Sequence, residues 1–271
     1  MKLVSICPSN TELLAYLGLT SSLIGVDNYS DWPKEINQLP RLGPDLNIDM
    51  DKVELLKPDL VLASLTVPGM EKNIEELEKR KIPYYIVPNP TTITEIGEQL
   101  LTLGKMTNTD KKAEQVYKKF NDVLEKYRKL SQEVPQKKSI YWEWWAKPIF
   151  TPGAENWLTE ISKLAGGYNI FEDMEQASVQ TDWEEVRLRD PDLICIVWVG
   201  VQTEKVNTKV ILKRPLWKEL EAIKTNNLFV LDEPLFCRPS PRLLVGLQKI
   251  SSLTHPDIYP LFENNKDPLL D

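Results

Sequence analysis

Histidine and cysteine, on which most metal sites and many catalytic centres depend, are scarce in this chain of 271 residues. The chain has one histidine, His255, and three cysteines, Cys7, Cys195 and Cys237, none of them in a CxxC pair. A zinc site draws several of its ligands from these two residue types, and a Ser-His-Asp or Cys-His centre would depend on His255 alone. We therefore expect no bound metal ion, no catalytic residues and a protein that is not an enzyme.

Motifs that bind phosphate are also missing. With 11 glycines, the chain contains neither GxxxxGK[ST] nor GxGxxG, so nucleotide binding is disfavoured. The GxSxG nucleophile elbow of hydrolases is absent as well. Lys and Arg number 33 and Asp and Glu 40, for a net charge of −7 without a basic block. Nucleic acid and anionic membranes are therefore poor partners.

Long apolar runs are absent too. No segment approaches the roughly 20 apolar residues of a membrane-spanning helix, so we expect no membrane insertion. The first apolar run ends at Pro8, before it reaches the length of a signal-peptide core. As the sequence stands, we expect a cytoplasmic protein, or an extracytoplasmic one if a leader has been removed.

The chain does contain an alternation of short apolar runs and amphipathic segments. Runs such as 3–6, 59–63 and 193–199 are typical of buried strands. Strands that alternate with helices indicate a mostly parallel sheet covered on both faces. Residues 110–130 lack Gly and Pro and carry apolar residues at helical spacing, which predicts a helix about 30 Å long.

These patterns predict an α/β protein of two Rossmann-like lobes with mostly parallel central sheets, bridged by one long helix. We place the N-terminal lobe at 1–106, the bridging helix at 107–133 and the C-terminal lobe at 134–271. A weak internal repeat agrees with two lobes, because DKVELLKPDL (51–60) resembles EEVRLRDPDL (184–193) at an offset of 184 − 51 = 133 residues. Related halves and a chance likeness of two short units both remain open.

Each copy of the repeat begins with an acid, Asp51 in the first and Glu184 in the second. A carboxylate at the start of a helix complements the helix dipole, which is sufficient to explain either acid alone. Their matched positions equally suggest paired contacts with a symmetric partner.

Aromatic residues are frequent, with eight tryptophans. Ligands of open α/β sheets bind beyond the carboxyl ends of the strands. Trp144 and Trp145 lie at such a position in the second half of the chain, and Tyr29 and Trp32 lie at one in the first half. Flat aromatic walls suit a large, partly apolar ligand, and Tyr29 and Trp144 are the favoured contacts.

Two loops supply further candidates for ligand contact. Cys7 follows the first predicted strand, where Ser9, with Glu12 three residues on, is predicted to cap the next helix. The Cys7 thiol either contacts ligand or is a small buried side chain. Phe236 and Arg238 lie in the loop before the last helix, and Arg238 is placed to reach an anionic group of a ligand.

Several motifs together resemble the class III substrate-binding proteins of ABC importers, which take up cobalamin, siderophores and haem. The similarity extends over nearly the whole chain and looks greatest to the cobalamin-binding branch. The motifs are SNTE (9–12), YSDWP (29–33), LKPDLV (56–61), FTPG (150–153), GGYNIF (166–171) and SPR (240–242).

The resemblance implies that a ligand binds in the cleft between two lobes, against Tyr29 and Trp144. It also implies that Asp51 and Glu184 dock on arginines of a dimeric ABC permease. The expected function is capture of a corrinoid, such as cobalamin, for an ABC importer, with no cofactor required. The alternatives are a ferric-siderophore or haem receptor of the same fold, and a cytoplasmic corrinoid-handling or sensing protein or enzyme that retains the fold.

Overall fold

The computed structural model describes residues 1–264 and 266–270, and within them the chain divides into two compact units. The first unit comprises Met1–Pro90 and Thr94–Phe120, together with Leu270. The second comprises Thr91–Ile93 and Asn121–Leu269. The boundary falls between Phe120 and Asn121, inside the long helix at mid-chain.

The first unit is built on a four-stranded parallel sheet. Its strands are β1 (Leu3–Ser5), β2 (Leu23–Val26), β3 (Leu60–Ala63) and β4 (Tyr84–Ile86), in the order β2-β1-β3-β4. Its helices are α1 (Pro8–Tyr16), α2 (Met50–Leu56), α3 (Glu71–Lys79) and most of α4 (Ile93–Thr107). The helix α5 (Asp110–Gln132) begins in this unit and ends in the second.

The second unit contains a four-stranded parallel sheet and a small antiparallel one. The parallel sheet has the order β11-β10-β5-β8, with β5 (Lys138–Glu143), β8 (Gly167–Asn169), β10 (Leu193–Ile196) and β11 (Leu228–Val230). The antiparallel sheet contains β6 (Trp145–Ala146), β7 (Ile149–Pro152) and β9 (Ser178–Thr181). The helices are α6 (Trp157–Leu164), α7 (Trp183–Arg189), α8 (Thr208–Leu212), α9 (Glu221–Lys224) and α10 (Leu243–Thr254).

The two parallel sheets share one topology. When the strands of each sheet are numbered in their own chain order, both read 2-1-3-4, and α2 and α7 precede the equivalent third strands. Asp49 and Asp182 are the equivalent N-caps, each accepting a hydrogen bond from the first turn. Lys57 and Asp190 are the equivalent C-caps, both left-handed. The repeat seen in the sequence is therefore a repeat of structure.

The α/β prediction with mostly parallel sheets is confirmed, and the predicted long helix is observed with 23 residues, about 35 Å at 1.5 Å per residue. Its apolar stripe is buried, as the periodicity requires: Ala113, Val116, Phe120, Leu124 and Tyr127. The antiparallel sheet of the second unit was not predicted, because its strands are two to four residues long and β9 is separated from β7 in the sequence by α6 and β8.

The predicted Ser9 cap is wrong. Helix α1 begins at Pro8, and Cys7 is its N-cap without a side-chain capping bond. Proline suits the first helical position because its fixed φ is already helical and its missing N–H is not needed there. The helix therefore begins before Ser9, and the Ser9 hydroxyl lies 3.3 Å from the Cys7 thiol instead.

Candidate ligand-binding site

In the first unit, polar side chains gather where β1 and β3 end. The Cys7 Sγ lies 3.3 Å from Ser9 Oγ, and Asn10 Nδ2 donates to the Ala63 carbonyl at 3.1 Å and to Ser64 Oγ at 3.0 Å. Burial raises the pKa of the Cys7 thiol, so this group is a neutral thiol. Asn10 Oδ1 is buried and has no hydrogen-bond partner among the described residues. Asn10 Oδ1 is therefore a hydrogen-bond acceptor available at these strand ends.

The loop after β2 presents Tyr29 on a backbone that is firmly held. The buried Asp27 carboxylate accepts the backbone N–H groups of Tyr29 at 2.7 Å and Ser30 at 3.0 Å. Arg41 Nη1 donates to the carbonyls of Asp27 and Ser30, at 3.0 and 2.6 Å. Burial raises the pKa of Asp27, opposed first by a hydrogen bond from the Ser30 hydroxyl and then by these two backbone N–H groups. The Tyr29 ring itself is half exposed, so an aromatic surface is offered on a fixed loop.

Hydroxyl groups join the Cys7 loop to the Tyr29 loop. Thr11 Oγ1 lies 2.8 Å from Ser5 Oγ and 2.7 Å from Ser30 Oγ, and Ser5 Oγ donates to the Cys7 carbonyl at 3.0 Å. The structure thus brings Cys7 and the Tyr29 loop into one network. Trp32 is partly buried, with its ring centroid 5.1 Å from that of Tyr16.

In the second unit, Trp144 follows the end of β5 and packs on Trp157, with ring centroids 6.1 Å apart. Its backbone is held on both sides, by the Phe150 carbonyl at 3.0 Å and the Val199 N–H at 2.9 Å. Its own Nε1–H is buried and has no hydrogen-bond partner among the described residues. Trp157 Nε1, in contrast, donates to the Phe236 carbonyl at 2.8 Å. Trp144 therefore combines an aromatic contact with Trp157 and an indole N–H that is available to a hydrogen-bond acceptor.

The other predicted contacts of this unit have partners within it. Trp145 lies on β6, is exposed and donates its Nε1–H to the Lys147 carbonyl at 3.1 Å. Phe236 is completely buried, 5.4 Å from the ring of Trp142. The largely buried Arg238 side chain donates to Glu233 Oε2 at 3.3 Å. Phe236 is therefore part of the core, and Glu233 balances the charge of Arg238. The ligand contacts predicted for Trp145, Phe236 and Arg238 stay predictions.

Sequence reasoning missed a buried ion pair directly before Trp144. Glu143, fully buried at the end of β5, accepts hydrogen bonds from Arg214 at 2.6 and 2.8 Å, from the Tyr141 hydroxyl at 2.8 Å and from Trp198 Nε1 at 3.0 Å. A lone carboxylate inside the aromatic run YWEWW was the available signal. Its network fixes the strand end from which Trp144 extends.

The two acids predicted to dock on a partner lie in the first turns of α2 and α7. Asp51 is exposed, and its Oδ1 lies 2.7 Å from Arg80 Nη1. Glu184 is half exposed and is held by both of its oxygens, with Arg187 Nη2 and Nε at 2.6 and 2.9 Å. Hydrogen bonds from Arg187 lower the pKa of Glu184. An arginine of its own unit therefore orients each carboxylate.

Residues 1–264 and 266–270 contain neither a cluster of metal ligands nor a membrane-spanning helix. No group of three or more His, Cys, Asp or Glu side chains in these ranges is placed to hold a metal ion. No helix described there is long and apolar enough to cross a membrane.

Residues 3–235 match the periplasmic binding protein family. The uncharacterized ABC transporter substrate-binding lipoprotein YvrC of Bacillus subtilis (strain 168) is 30% identical over 95% of this chain and 81% of its own length. The vitamin B12-binding protein of Vibrio vulnificus (strain CMCP6) is 25% identical over 92% of this chain and 88% of its own. The structure of a periplasmic heme-binding protein from Pseudomonas aeruginosa superposes with a TM-score of 0.83, at 21% identity and over 99% of this chain and 96% of that one.

These likenesses confirm the predicted resemblance and exclude the enzyme among the alternatives. The match over residues 3–235 and the relationship to the Bacillus lipoprotein together settle the family. The chain belongs to the periplasmic binding proteins, the non-enzymatic components that bind substrate for ABC importers.

Proposed function

We propose that this substrate-binding protein captures a corrinoid, a cobalamin-like molecule, and delivers it to an ABC permease. The observation that carries the proposal is the indole of Trp144, which packs beside Trp157 at a strand end and has a buried N–H that no described residue accepts. A buried donor without a partner costs about 1–3 kcal/mol. Acceptance of this N–H by a ligand would remove that cost.

Corrinoid chemistry suits the side chains found at the strand ends. A corrinoid combines a broad, partly apolar ring system with uncharged amide groups around its edge. Aromatic faces such as Tyr29 and Trp144 favour the ring, and polar groups such as Trp144 Nε1 and Asn10 Oδ1 favour amides. The vitamin B12-binding proteins of Vibrio and Yersinia, 25–27% identical to this chain, support the same ligand class.

Haem or a ferric siderophore is the second candidate, and Cys7 and Arg238 are the residues that favour it. A thiolate is a ligand for iron, and a guanidinium pairs with anionic groups. However, the pKa of Cys7 is raised by burial, and Arg238 already donates to Glu233. An uncharged corrinoid periphery would leave both arrangements undisturbed, so we rank it first.

Delivery calls for a partner surface, and Asp51 and Glu184 supply it in this proposal. They occupy equivalent positions in the two units, which suits a permease that is itself a dimer and offers one arginine from each subunit. The expected cytoplasmic location finds no support in a family whose relatives include a substrate-binding lipoprotein. We propose instead that capture takes place outside the cytoplasm.

The ligand class is tested by titrating the full chain with cyanocobalamin, dicyanocobinamide, haemin and a ferric hydroxamate siderophore. Calorimetry and visible spectra would follow binding. We expect saturable one-to-one binding of at least one corrinoid, and no comparable binding of haemin or siderophore. If haemin or the siderophore binds and neither corrinoid does, the second candidate replaces the first. If none of the four binds, both are wrong.

A further inference from the structure

Two leucines at equivalent positions of the two units lie on the surface. Leu55 of α2 is 80% exposed, and Leu188 of α7 is 67% exposed. They are separated by the 133 residues of the repeat (188 − 55). A single exposed leucine is ordinary on a protein surface. The same exposed leucine in both copies of a repeated unit needs a reason.

The other residues that are identical in both copies already have structural roles, and of these Leu60 and Leu193 begin β3 and β10. Asp49 and Asp182 cap their helices, and Val53 and Val186 are buried in their cores. Pro58 and Pro191 follow the left-handed C-caps, where proline commonly ends a helix. Asp59 exchanges hydrogen bonds with Lys2, the residue before β1, and Asp192 does so with Ser139 of β5. Leu55 and Leu188 have no comparable burial within their units.

The remaining exposed positions of the two helices have not kept their character. Lys52 corresponds to Glu185, and Glu54 corresponds to Arg187, so the charge is reversed at both. An acid and a leucine are nevertheless retained, as Asp51 with Leu55 and as Glu184 with Leu188. The members of each pair are four residues apart and therefore lie on the same face of their helix. We call these pairs the first and the second docking patch.

We infer that Leu55 and Leu188 are the apolar contacts of the two docking patches, and that the partner is a two-fold symmetric permease. Each of its subunits would offer an apolar hollow beside the cationic group that receives the acid. The inference rests on the delivery function proposed above and adds the residues that would stabilise the complex once it has formed. Charged groups at the rim mainly govern encounter, whereas desolvated apolar side chains slow dissociation.

Binding of the full chain to the permease complex tests the inference. The permease is first identified by a photo-crosslinking amino acid placed at position 55 or 188 in cells, and is then reconstituted in lipid nanodiscs. The Leu55→Gln and Leu188→Gln variants keep a good helix former at each position. Leu261→Gln is the matched control, because Leu261 is also 80% exposed but lies outside both repeats.

We expect each single variant to bind about tenfold more weakly, chiefly through faster dissociation, and the double variant about a hundredfold more weakly. The Leu261→Gln control should bind like the wild type.

If the wild type binds and the Leu55→Gln and Leu188→Gln variants bind as tightly as it does, the inference is overturned while the delivery function stands. If the wild type binds no permease, delivery itself is refuted. If sedimentation shows a wild-type dimer that the leucine variants abolish, the leucines join two copies of this chain and the inference is also overturned.

Discussion

The Glu143 carboxylate and the Arg214 guanidinium form a two-point ion pair inside the second unit, with N–O distances of 2.6 and 2.8 Å. Glu143 is fully buried, and the guanidinium carbon of Arg214 lies 4.4 Å from the ring centroid of Trp217. Tyr141 and Trp198 complete the hydrogen bonding of the carboxylate. The end of β5 therefore depends on a charged group whose partner is 71 residues away in the sequence.

Removal of one partner of this pair should be costly. We expect Glu143→Gln to lower the free energy of unfolding by about 3–5 kcal/mol, because Arg214 would remain charged and largely buried without its counter-ion. Denaturant unfolding measures the change. The double variant Glu143→Gln with Arg214→Met should recover much of the loss, since no buried charge is then unpaired. A loss below about 1 kcal/mol in the single variant would contradict a buried two-point pair.

Replacement by phenylalanine should cost stability unequally at two tryptophans near the end of β5. Trp142 is fully buried and donates to Ser162 Oγ at 2.9 Å, whereas the N–H of Trp144 has no partner among the described residues. We expect Trp142→Phe to destabilise the fold by about 1 kcal/mol more than Trp144→Phe, because only the former loses a hydrogen bond. Thermal or denaturant unfolding gives this comparison.

Ligand affinity should follow the reverse order in the same two variants. If a ligand accepts the Trp144 N–H, Trp144→Phe weakens binding about three- to tenfold, the worth of one net hydrogen bond. Trp142→Phe should leave the affinity unchanged, and so should Trp183→Phe, which alters an exposed indole on α7. Titration with the corrinoid that binds the wild type most tightly measures this. Equal affinities of Trp144→Phe and the wild type would remove the observation on which the proposed site rests.

Local periodicity accounts for most of what the sequence predicted. The buried stripe of α5 repeats at helical spacing, and short apolar runs between amphipathic segments indicate parallel strands, so both are visible within a window of residues. The rule that ligands bind beyond strand ends directed attention to Tyr29 and Trp144 without knowledge of their neighbours. That rule applies to parallel α/β sheets, and this fold class was correctly predicted.

Contacts between distant segments account for what was missed. Arg214 lies in a loop with no local pattern that points to Glu143, and Asn10 reaches Ala63 and Ser64 across more than 50 residues. Whether a polar group lacks a partner depends on every segment packed around it, so unsatisfied atoms such as Asn10 Oδ1 are evident only in the folded chain. Ser9 was wrongly predicted as the N-cap of α1, because Pro8 is the first residue of the helix and Cys7 is its N-cap.

Gly18 and Gly166 offer a matched pair for separating backbone strain from crowding. Both have φ of +75°, but an added Cβ at Gly18 would meet nothing within 4 Å, whereas at Gly166 it would lie 2.6 Å from Val134 Cγ2. We expect Gly18→Ala to lower the free energy of unfolding by about 1 kcal/mol through the left-handed backbone alone. Gly166→Ala should cost about 1–3 kcal/mol more, because Val134 and His255 must move. Equal losses in the two variants would show that the space around Gly166 adjusts freely.

The only histidine of the chain should make folding stability depend on pH near neutrality. His255 Nε2 lies 3.0 Å from the Gly166 carbonyl, and burial lowers the pKa of the imidazole, partly opposed by that contact. With a folded pKa below the unfolded value near 6.5, the unfolded chain binds more protons in this range. Stability should therefore fall as the pH drops from above 6.5 to below the folded pKa.

Denaturant unfolding at pH 7.5 and 5.5 measures the fall, and His255→Gln, which keeps a side-chain hydrogen bond to Gly166 possible, should reduce it. If the wild type and the His255→Gln variant have the same pH dependence, His255 is not its source. The buried Asp27 carboxyl cannot produce the expected fall, because its raised pKa makes stability fall as the pH rises, opposite to the histidine effect.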